Sequence, residues 1–185
     1  MNNHTYTFNY YALQVKTRAE EKFIRLFNKQ NPDISLSLHF PQRTLDIRRK
    51  GKVRKSTLPI FPGYIFLELE ADENINHYYR PFRKTDGFFR FLRSNSNITP
   101  LRHKDHELIL HFTKRIGPIA GKSKVYFNED NRIVVLHGPL SGLEGKIIKV
   151  DRRKKRARVT LDLYDDSFAI DLAFEVIEKA VQNNA

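Results

Sequence analysis

The sequence predicts an α+β fold, a mainly antiparallel sheet with packed helices, followed by a small β-barrel. Three observations carry this reading. Up to about residue 116, extended apolar runs alternate with helical patterns. After residue 125, short β-rich runs recur at regular spacing with no obvious helix between them. Between the runs at 133–135 and 146–150 lies a loop spaced by Gly138, Gly142 and Gly145, and glycine suits tight turns and positive φ.

The elements follow in chain order. Residues 10–15 are apolar and β-prone, which predicts a strand buried in a sheet. Thr17-Arg18-Ala19-Glu20 has the form of a capping box, a threonine accepting from an early helix amide while a glutamate reaches back. Ala19, Phe23, Leu26 and Phe27 then share one helical face, and Asn31-Pro32-Asp33 ends the helix near Gln30. Extended runs at 36–47 and 53–58 are joined by Arg48-Arg49-Lys50-Gly51-Lys52, a basic link whose glycine suggests a hairpin tip. Phe61-Pro62-Gly63-Tyr64-Ile65-Phe66 predicts a turn and a strand. A short helix around 75–79 is expected to stop near Pro81, and residues 88–92 read as a strand. Leu108, Ile109, Phe112 and Ile116 fall on one face of a last helix from about Lys104. The turn-forming, charged stretch 117–125 reads as a linker, so the expected division is a domain at 1–116 and a barrel at 126–185.

Composition narrows the function. The chain of 185 residues holds no cysteine, which excludes disulfides, thiolate zinc sites and cysteine nucleophiles. No apolar run approaches a membrane span, and Met1-Asn2-Asn3-His4 lacks the start of a signal peptide, so a cytoplasmic protein without a membrane is expected. The net charge is +12, and all of the excess lies in residues 1–125, where Lys and Arg outnumber Asp and Glu by 23 to 11. Such a balance favours polyanions, because neutralising phosphates releases their condensed counterions. Seven of the thirteen residues from 43 to 55 are cationic, namely Arg43, Arg48, Arg49, Lys50, Lys52, Arg54 and Lys55, opposed only by Asp46. A protruding basic tip of this kind can track phosphates, although charge density alone supplies no sequence code. A second run, Arg152, Arg153, Lys154, Lys155, Arg156 and Arg158, places six cations in seven residues between barrel strands, where repulsion keeps them exposed to an anionic partner.

Three patterns suggest catalysis and fail on spacing. Gly117 to Ser123 imitates a phosphate loop but has three residues between its glycines where four are required, and it contains Pro118. His106-Glu107 and His111 imitate a zinc helix, yet histidines five apart point to different faces. Asp165, Asp166 and Asp171 lack further ligands for a metal site. A protein that is not an enzyme, with no cofactor and no metal, is the expectation.

Taken in order, the strand at 10–15 with its helix, Phe61-Pro62-Gly63-Tyr64-Ile65-Phe66, the Gly87–Phe91 run, Thr99-Pro100-Leu101 before the last helix and the glycine-spaced loop resemble the NusG family, an N-terminal domain followed by a KOW domain. Asp171 and the residues from Phe174 to Lys179 are similar to the closing strand of that second domain, an SH3-like β-barrel. The basic stretch from Arg43 to Lys55 looks more like a specialised paralogue of the LoaP or RfaH type than the general factor. The resemblance implies a monomeric transcription elongation and antitermination factor that suppresses pausing or termination. It implies that the first domain binds the clamp helices of RNA polymerase, with Tyr11, Leu13, Tyr64, Phe66 and Phe91 forming or supporting the surface. Alternation puts Tyr64 and Phe66 on one side of their strand, which leaves room for an exposed patch there. DNA or RNA would meet the basic hairpin, and a ribosomal protein, a termination factor or RNA would meet the barrel. The competing reading is a stand-alone RNA-binding or ribosome-associated protein, since KOW barrels also occur in ribosomal proteins. An independent barrel is expected over a helical C-terminal domain, because three glycines weaken a continuous helix by roughly 1 kcal/mol each, although residues 172–179 would tolerate one.

Overall fold

The computed structural model describes residues 7–164 and 166–178; Met1–His4, Asp165 and Lys179 of the sequence readings lie outside them. In chain order the strands and helices are β1 (Phe8–Val15), α1 (Glu20–Gln30), β2 (Ser37–His39), β3 (Gln42–Arg49), β4 (Lys52–Pro59), β5 (Tyr64–Glu70), α2 (Asn76–Lys84), β6 (Phe88–Phe91) and α3 (His103–Leu110). There follow β7 (Ile119–Ala120), β8 (Ser123–Phe127), β9 (Ile133–His137), β10 (Ile147–Asp151), β11 (Arg156–Leu163) and β12 (Asp166–Val176). The chain divides into two compact units, residues 1–41 with 61–118, and residues 42–60 with 119–185.

The first unit is built on a four-stranded sheet in the order β2-β5-β1-β6. Antiparallel register pairs Tyr11 with Leu67 and Leu13 with Ile65, while Tyr10, Ala12 and Gln14 oppose Glu68, Phe66 and Tyr64. Because side chains alternate across a strand, this register sorts the residues into two faces. Tyr11, Leu13, Val15, Ile65, Leu67 and Phe91 form one core with Phe23 and Phe27 of α1 and Phe82 of α2. The Phe27 and Phe82 rings lie 4.3 Å apart.

Local chemistry departs from the sequence pattern at three places. The capping box does not form: Ala19 precedes α1 with no side-chain cap, and Arg18 takes φ +66. Glu20 instead turns inward, 3% exposed, and accepts the Gly63 N–H at 2.7 Å. Pro81 does not stop α2 but sits inside it, and the helix continues to Lys84 around fully buried Phe82. The last helix is not one regular face, because α3 passes into a π-helical segment, His111–Arg115, closed by a bond from Ile116 N–H to the His111 carbonyl at 2.9 Å. The wider turn rephases the side chains, so that Ile109 and Phe112 are buried while Leu108 and Ile116 are only half-buried.

The second unit holds a curled five-stranded sheet, β10-β11-β12-β8-β9, and a three-stranded one, β4-β3-β7. Strand β12 spans eleven residues and serves two partners, pairing antiparallel with β11 and, near its end, parallel with β8. Residues 172–176, which tolerate a helix in sequence, are strand. Ala157, Val159, Leu161 and Leu163 alternate inward to meet Ile170, Leu172 and Phe174. The stretch expected as a linker carries β7 and most of β8, and β7 pairs in parallel with the start of β3. The glycine-spaced loop folds back on β8: the buried Ser123 hydroxyl accepts from Leu140 N–H at 2.9 Å, and Leu140 is fully buried.

Gly138 makes this closure possible. Its φ is +105, and an added Cβ would sit 2.7 Å from the Ser123 Cα, a backbone atom that cannot swing away. Gly138→Ala is therefore expected to destabilise the second unit by roughly 2 kcal/mol or more, read as a drop in its denaturation midpoint; an unchanged midpoint would show that the loop does not need this conformation.

Candidate functional site

The hairpin β3–β4 pairs Arg49 with Lys52 across a two-residue turn in which Lys50 and Gly51 both have positive φ, +49 and +76. Such turns match the twist of a ribbon. Register distributes the cations between two faces. Arg48 and Lys55 share one with Asp46 and Val53; Arg49, Lys52 and Arg54 share the other with Ile47. On the latter, Arg49, Lys50, Lys52 and Arg54 line a hollow of about 350 Å³ with no acidic residue. All six cations from Arg48 to Lys55 are exposed.

Arg43 behaves differently. It is half-buried, its guanidinium donates to the Pro59 carbonyl, and its Nε finds no hydrogen-bond partner among the described residues. Burial, helped by repulsion from Arg156 and opposed by Asp171, pulls its pKa down to about 10. It is a structural cation more than a surface one.

The run at 152–158 also divides. The Arg152 guanidinium lies 3.7 Å from the Phe127 ring centroid, a cation–π distance, and donates to the Asn131 carbonyl at 2.8 Å. Arg156 donates to the Asp46 carbonyl and approaches Asp171 at 3.9 Å, while Arg158 binds Asp171 at 2.7 Å, which raises the Arg158 pKa. Arg153, Lys154 and Lys155 remain exposed.

Sequence spacing placed these two runs in different domains; the structure places them in one unit. The hairpin is held by Asp46, whose carboxylate pairs with Lys122 at 2.8 Å, and that bond together with the Lys122 charge lowers the Asp46 pKa. By sequence count the second unit carries 19 Lys and Arg against 11 Asp and Glu, and the first 14 against 10. The charge excess assigned to the N-terminal part thus moves with the hairpin.

The five aromatic and aliphatic positions do not form an exposed patch. Tyr11, Leu13 and Phe91 lie in the core beneath α1 and α2. Tyr64 and Phe66 do share the opposite face, yet they are 5% and 0% exposed. Phe66 packs edge-on against Phe61 at 5.4 Å, and Phe61 in turn against Phe112 of the π-helical segment at 6.2 Å. On the same face the Tyr10 and Thr113 hydroxyls are hydrogen-bonded at 2.7 Å, and the Thr113 hydroxyl lies 2.9 Å from the Ile109 carbonyl. Alternation identifies which residues share a face but not what covers it. The side chain that sequence reasoning missed is Phe89, 59% exposed on edge strand β6. Periodicity does not single it out, because burial in β6 runs half-buried, exposed, exposed, buried from Phe88 to Phe91 and the pairing with β1 is irregular.

His106 is buried, with Nε2 3.4 Å from the Phe8 carbonyl and its pKa lowered chiefly by burial. Among the described residues no three His, Cys, Asp or Glu side chains gather as metal ligands, and no helix is long and apolar enough to cross a membrane.

A core position in the first unit should report stability. Phe66→Ala is expected to cost about 3–5 kcal/mol in denaturant unfolding, and a change below about 1 kcal/mol would mean that this ring is not part of the core.

The comparisons with known proteins agree with this architecture. The family model described as transcription termination factor nusG matches residues 8–110. Curated relatives named transcription termination/antitermination protein NusG include those of Buchnera aphidicola, 25% identical over 92% of this chain and 95% of theirs, Bacillus subtilis, 25% identical over 94% and 95%, and Escherichia coli, 24% identical over 94% and 92%. A solved structure described as domain interaction in Thermotoga maritima NusG superposes with a TM-score of 0.56 at 21% identity, covering 90% of this chain and 93% of that one, a likeness of fold. Matched over more than half its length, this chain belongs to the NusG family of transcription termination and antitermination factors.

Proposed function

We propose that this transcription elongation and antitermination factor binds RNA polymerase through its first unit and nucleic acid through the β3–β4 hairpin, suppressing pausing or termination without catalysing a reaction. The observation that carries the nucleic-acid part is the hollow on the hairpin, lined by Arg49, Lys50, Lys52 and Arg54 with no carboxylate among them. Four exposed cations on a two-stranded ribbon suit contact with successive phosphates, which position a protein without reading sequence. Family membership supports docking on polymerase, with the clamp helices as the expected contact and the protein acting as a monomer. In this reading Tyr11, Leu13, Tyr64, Phe66 and Phe91 support the docking surface from inside, and Phe89 supplies an exposed anchor. The strongly basic hairpin supports a specialised paralogue over the general factor, and the curled sheet would recruit a ribosomal protein, a termination factor or RNA. By sequence the domains are still proposed as 1–116 and 126–185, while the hairpin, an insertion in the first of these segments, folds with the second unit and brings the nucleic-acid contact to it.

Two measurements test the reading. Replacing Arg49, Lys52 and Arg54 together by Ala is expected to weaken nucleic-acid binding and to make the slope of log K against log salt shallower by roughly 2–3; the same affinity and slope as the parent protein would reduce the hairpin to a solvated ribbon. Phe89→Ala is expected to weaken binding to purified RNA polymerase about fivefold or more, as exposed aromatic anchors do, with no loss of thermal stability. A variant that holds polymerase as tightly as the parent removes this ring from the interface.

A further inference from the structure

The two cationic runs, about a hundred residues apart in sequence, line one cleft of about 460 Å³ in the second unit. The hairpin contributes Arg48 with Ile47 and Val53; the turn between β10 and β11 and the start of β11 contribute Arg153, Lys154, Lys155 and Arg156; Lys122 and Ala173 complete the lining. Asp46 is its sole acidic residue, and that carboxylate is occupied by Lys122 at 2.8 Å. The buried Nε of Arg156 has no hydrogen-bond partner among the described residues. Six cations from three segments thus face one space; Lys122, Arg156 and Lys154 also approach carboxylates, Asp46 at 2.8 Å, Asp171 at 3.9 Å and Asp151 at 3.8 Å, and the last two of these acids lie outside the cleft lining. We propose that this cleft is one composite site for the phosphate backbone of a nucleic-acid duplex, gripped by Arg48 from the hairpin and by Arg153 and Lys154 from the turn.

The choice of a duplex comes from what the lining lacks. Single-strand sites stack bases on aromatic rings, and the apolar part of this cleft is Ile47, Val53 and Ala173, all aliphatic. A double-stranded backbone needs only correctly spaced cations and offers the same phosphate chemistry in DNA and in RNA stems. The spacing is set in advance, because Arg156 donates to the Asp46 carbonyl and Asp46 holds Lys122, so hairpin and turn approach the ligand already joined. The proposal rests on the reading of the hairpin as a nucleic-acid contact and extends it to a second arm.

Arg152 provides an internal control. It belongs to the same charge run, but its guanidinium stacks on Phe127 and it lines a separate cavity with Ile133 and Ile147. Lys155 is left intact in the test because its φ of +52 would add backbone strain to any effect. With the full-length protein, binding to a DNA duplex and an RNA stem of ~20 base pairs and to a single strand of the same length is measured across about 50–200 mM salt. Arg48→Ala, and the pair Arg153→Ala with Lys154→Ala, are each expected to weaken duplex binding about threefold or more, the pair with a slope shallower by about 2. Arg152→Ala is expected to stay within about twofold, with thermal midpoints preserved in all variants whose side chains are exposed. Tighter binding of either duplex than of the single strand supports the site and names its strand type. The proposal is overturned if Arg152→Ala costs as much per charge as the pair, or if the single strand binds as well as both duplexes. It is also overturned if the pair has no effect while replacement of Arg49, Lys52 and Arg54 keeps its own, and that last outcome leaves the hairpin reading standing.

Discussion

Asp46 decides where the positive charge of this protein resides. Its carboxylate takes Lys122 and its main-chain carbonyl takes Arg156, so one residue ties β3 both to the segment before β8 and to the start of β11. The Asp46–Lys122 pair is exposed, and an exposed ion pair contributes little energy by itself. Its effect is geometric. The parallel pairing of Gln42 with Ile119 and Arg43 with Ala120 gives β3 a second anchor on the same unit. A ribbon that carries seven cations, six on its strands and Lys50 in its turn, is thereby held next to a turn that carries several more. Without those bonds, like-charge repulsion would drive the two apart.

A comparable device organises the first unit. Burying a carboxylate is costly unless its oxygens are hydrogen-bonded, and Glu20 meets that condition by accepting from Gly63 N–H, while the Gly63 carbonyl accepts from Val15 N–H at 2.8 Å. Gly63 thus joins the end of β1, the first turn of α1 and the start of β5. Its φ of +84 and the Thr17 Oγ1 atom 2.9 Å from where a Cβ would sit leave no room for another residue. The register that follows, Ala12 opposite Phe66 and Leu13 opposite Ile65, determines which aromatic rings enter which core. On the far face, His39 donates from Nε2 to Glu68 at 2.9 Å, and Lys114 reaches the same carboxylate at 3.0 Å. Burial pushes the Glu68 pKa up, but hydrogen bonds from Lys114 and Tyr10 and the charges of His39 and Lys114 outweigh it and the net shift is downward; burial lowers the His39 pKa.

Local chemistry was legible in the sequence wherever it depended on neighbours along the chain. The Lys50-Gly51 turn and the strand after Gly63 follow from residue type and a period of two. What was hidden depends on distant partners. Glu20 has the right position for a capping box, but a buried amide 43 residues away competes for it and wins. The α3 pattern assumes 3.6 residues per turn, and a single π turn at His111 moves Ile116 off the predicted face. The exposed patch expected at Tyr64 and Phe66 is covered through Phe61 and Phe112, contacts that no periodicity contains. Strand β7 is two residues long, too short to carry any pattern, yet it helps assign the hairpin to the second unit.

The hairpin itself carries an unresolved repulsion that bears on function. Cross-strand neighbours of like charge destabilise a sheet, and the register sets Arg49 directly opposite Lys52, with Arg54 on the same face. On the other face Asp46 opposes Lys55 and relieves part of the strain, but Arg48 opposes Val53 and keeps its charge uncompensated. The base of the ribbon is packed, with Leu45 buried, whereas the cations on both faces leave residues 48–55 exposed to solvent. A polyanion that lies along it removes the repulsion and binds only the folded register, since the unfolded chain spaces its cations apart. In the proposed contact such a ligand would stabilise the hairpin progressively as its free concentration rises above the dissociation constant, and relief of the repulsion in the free ribbon would contribute to that binding.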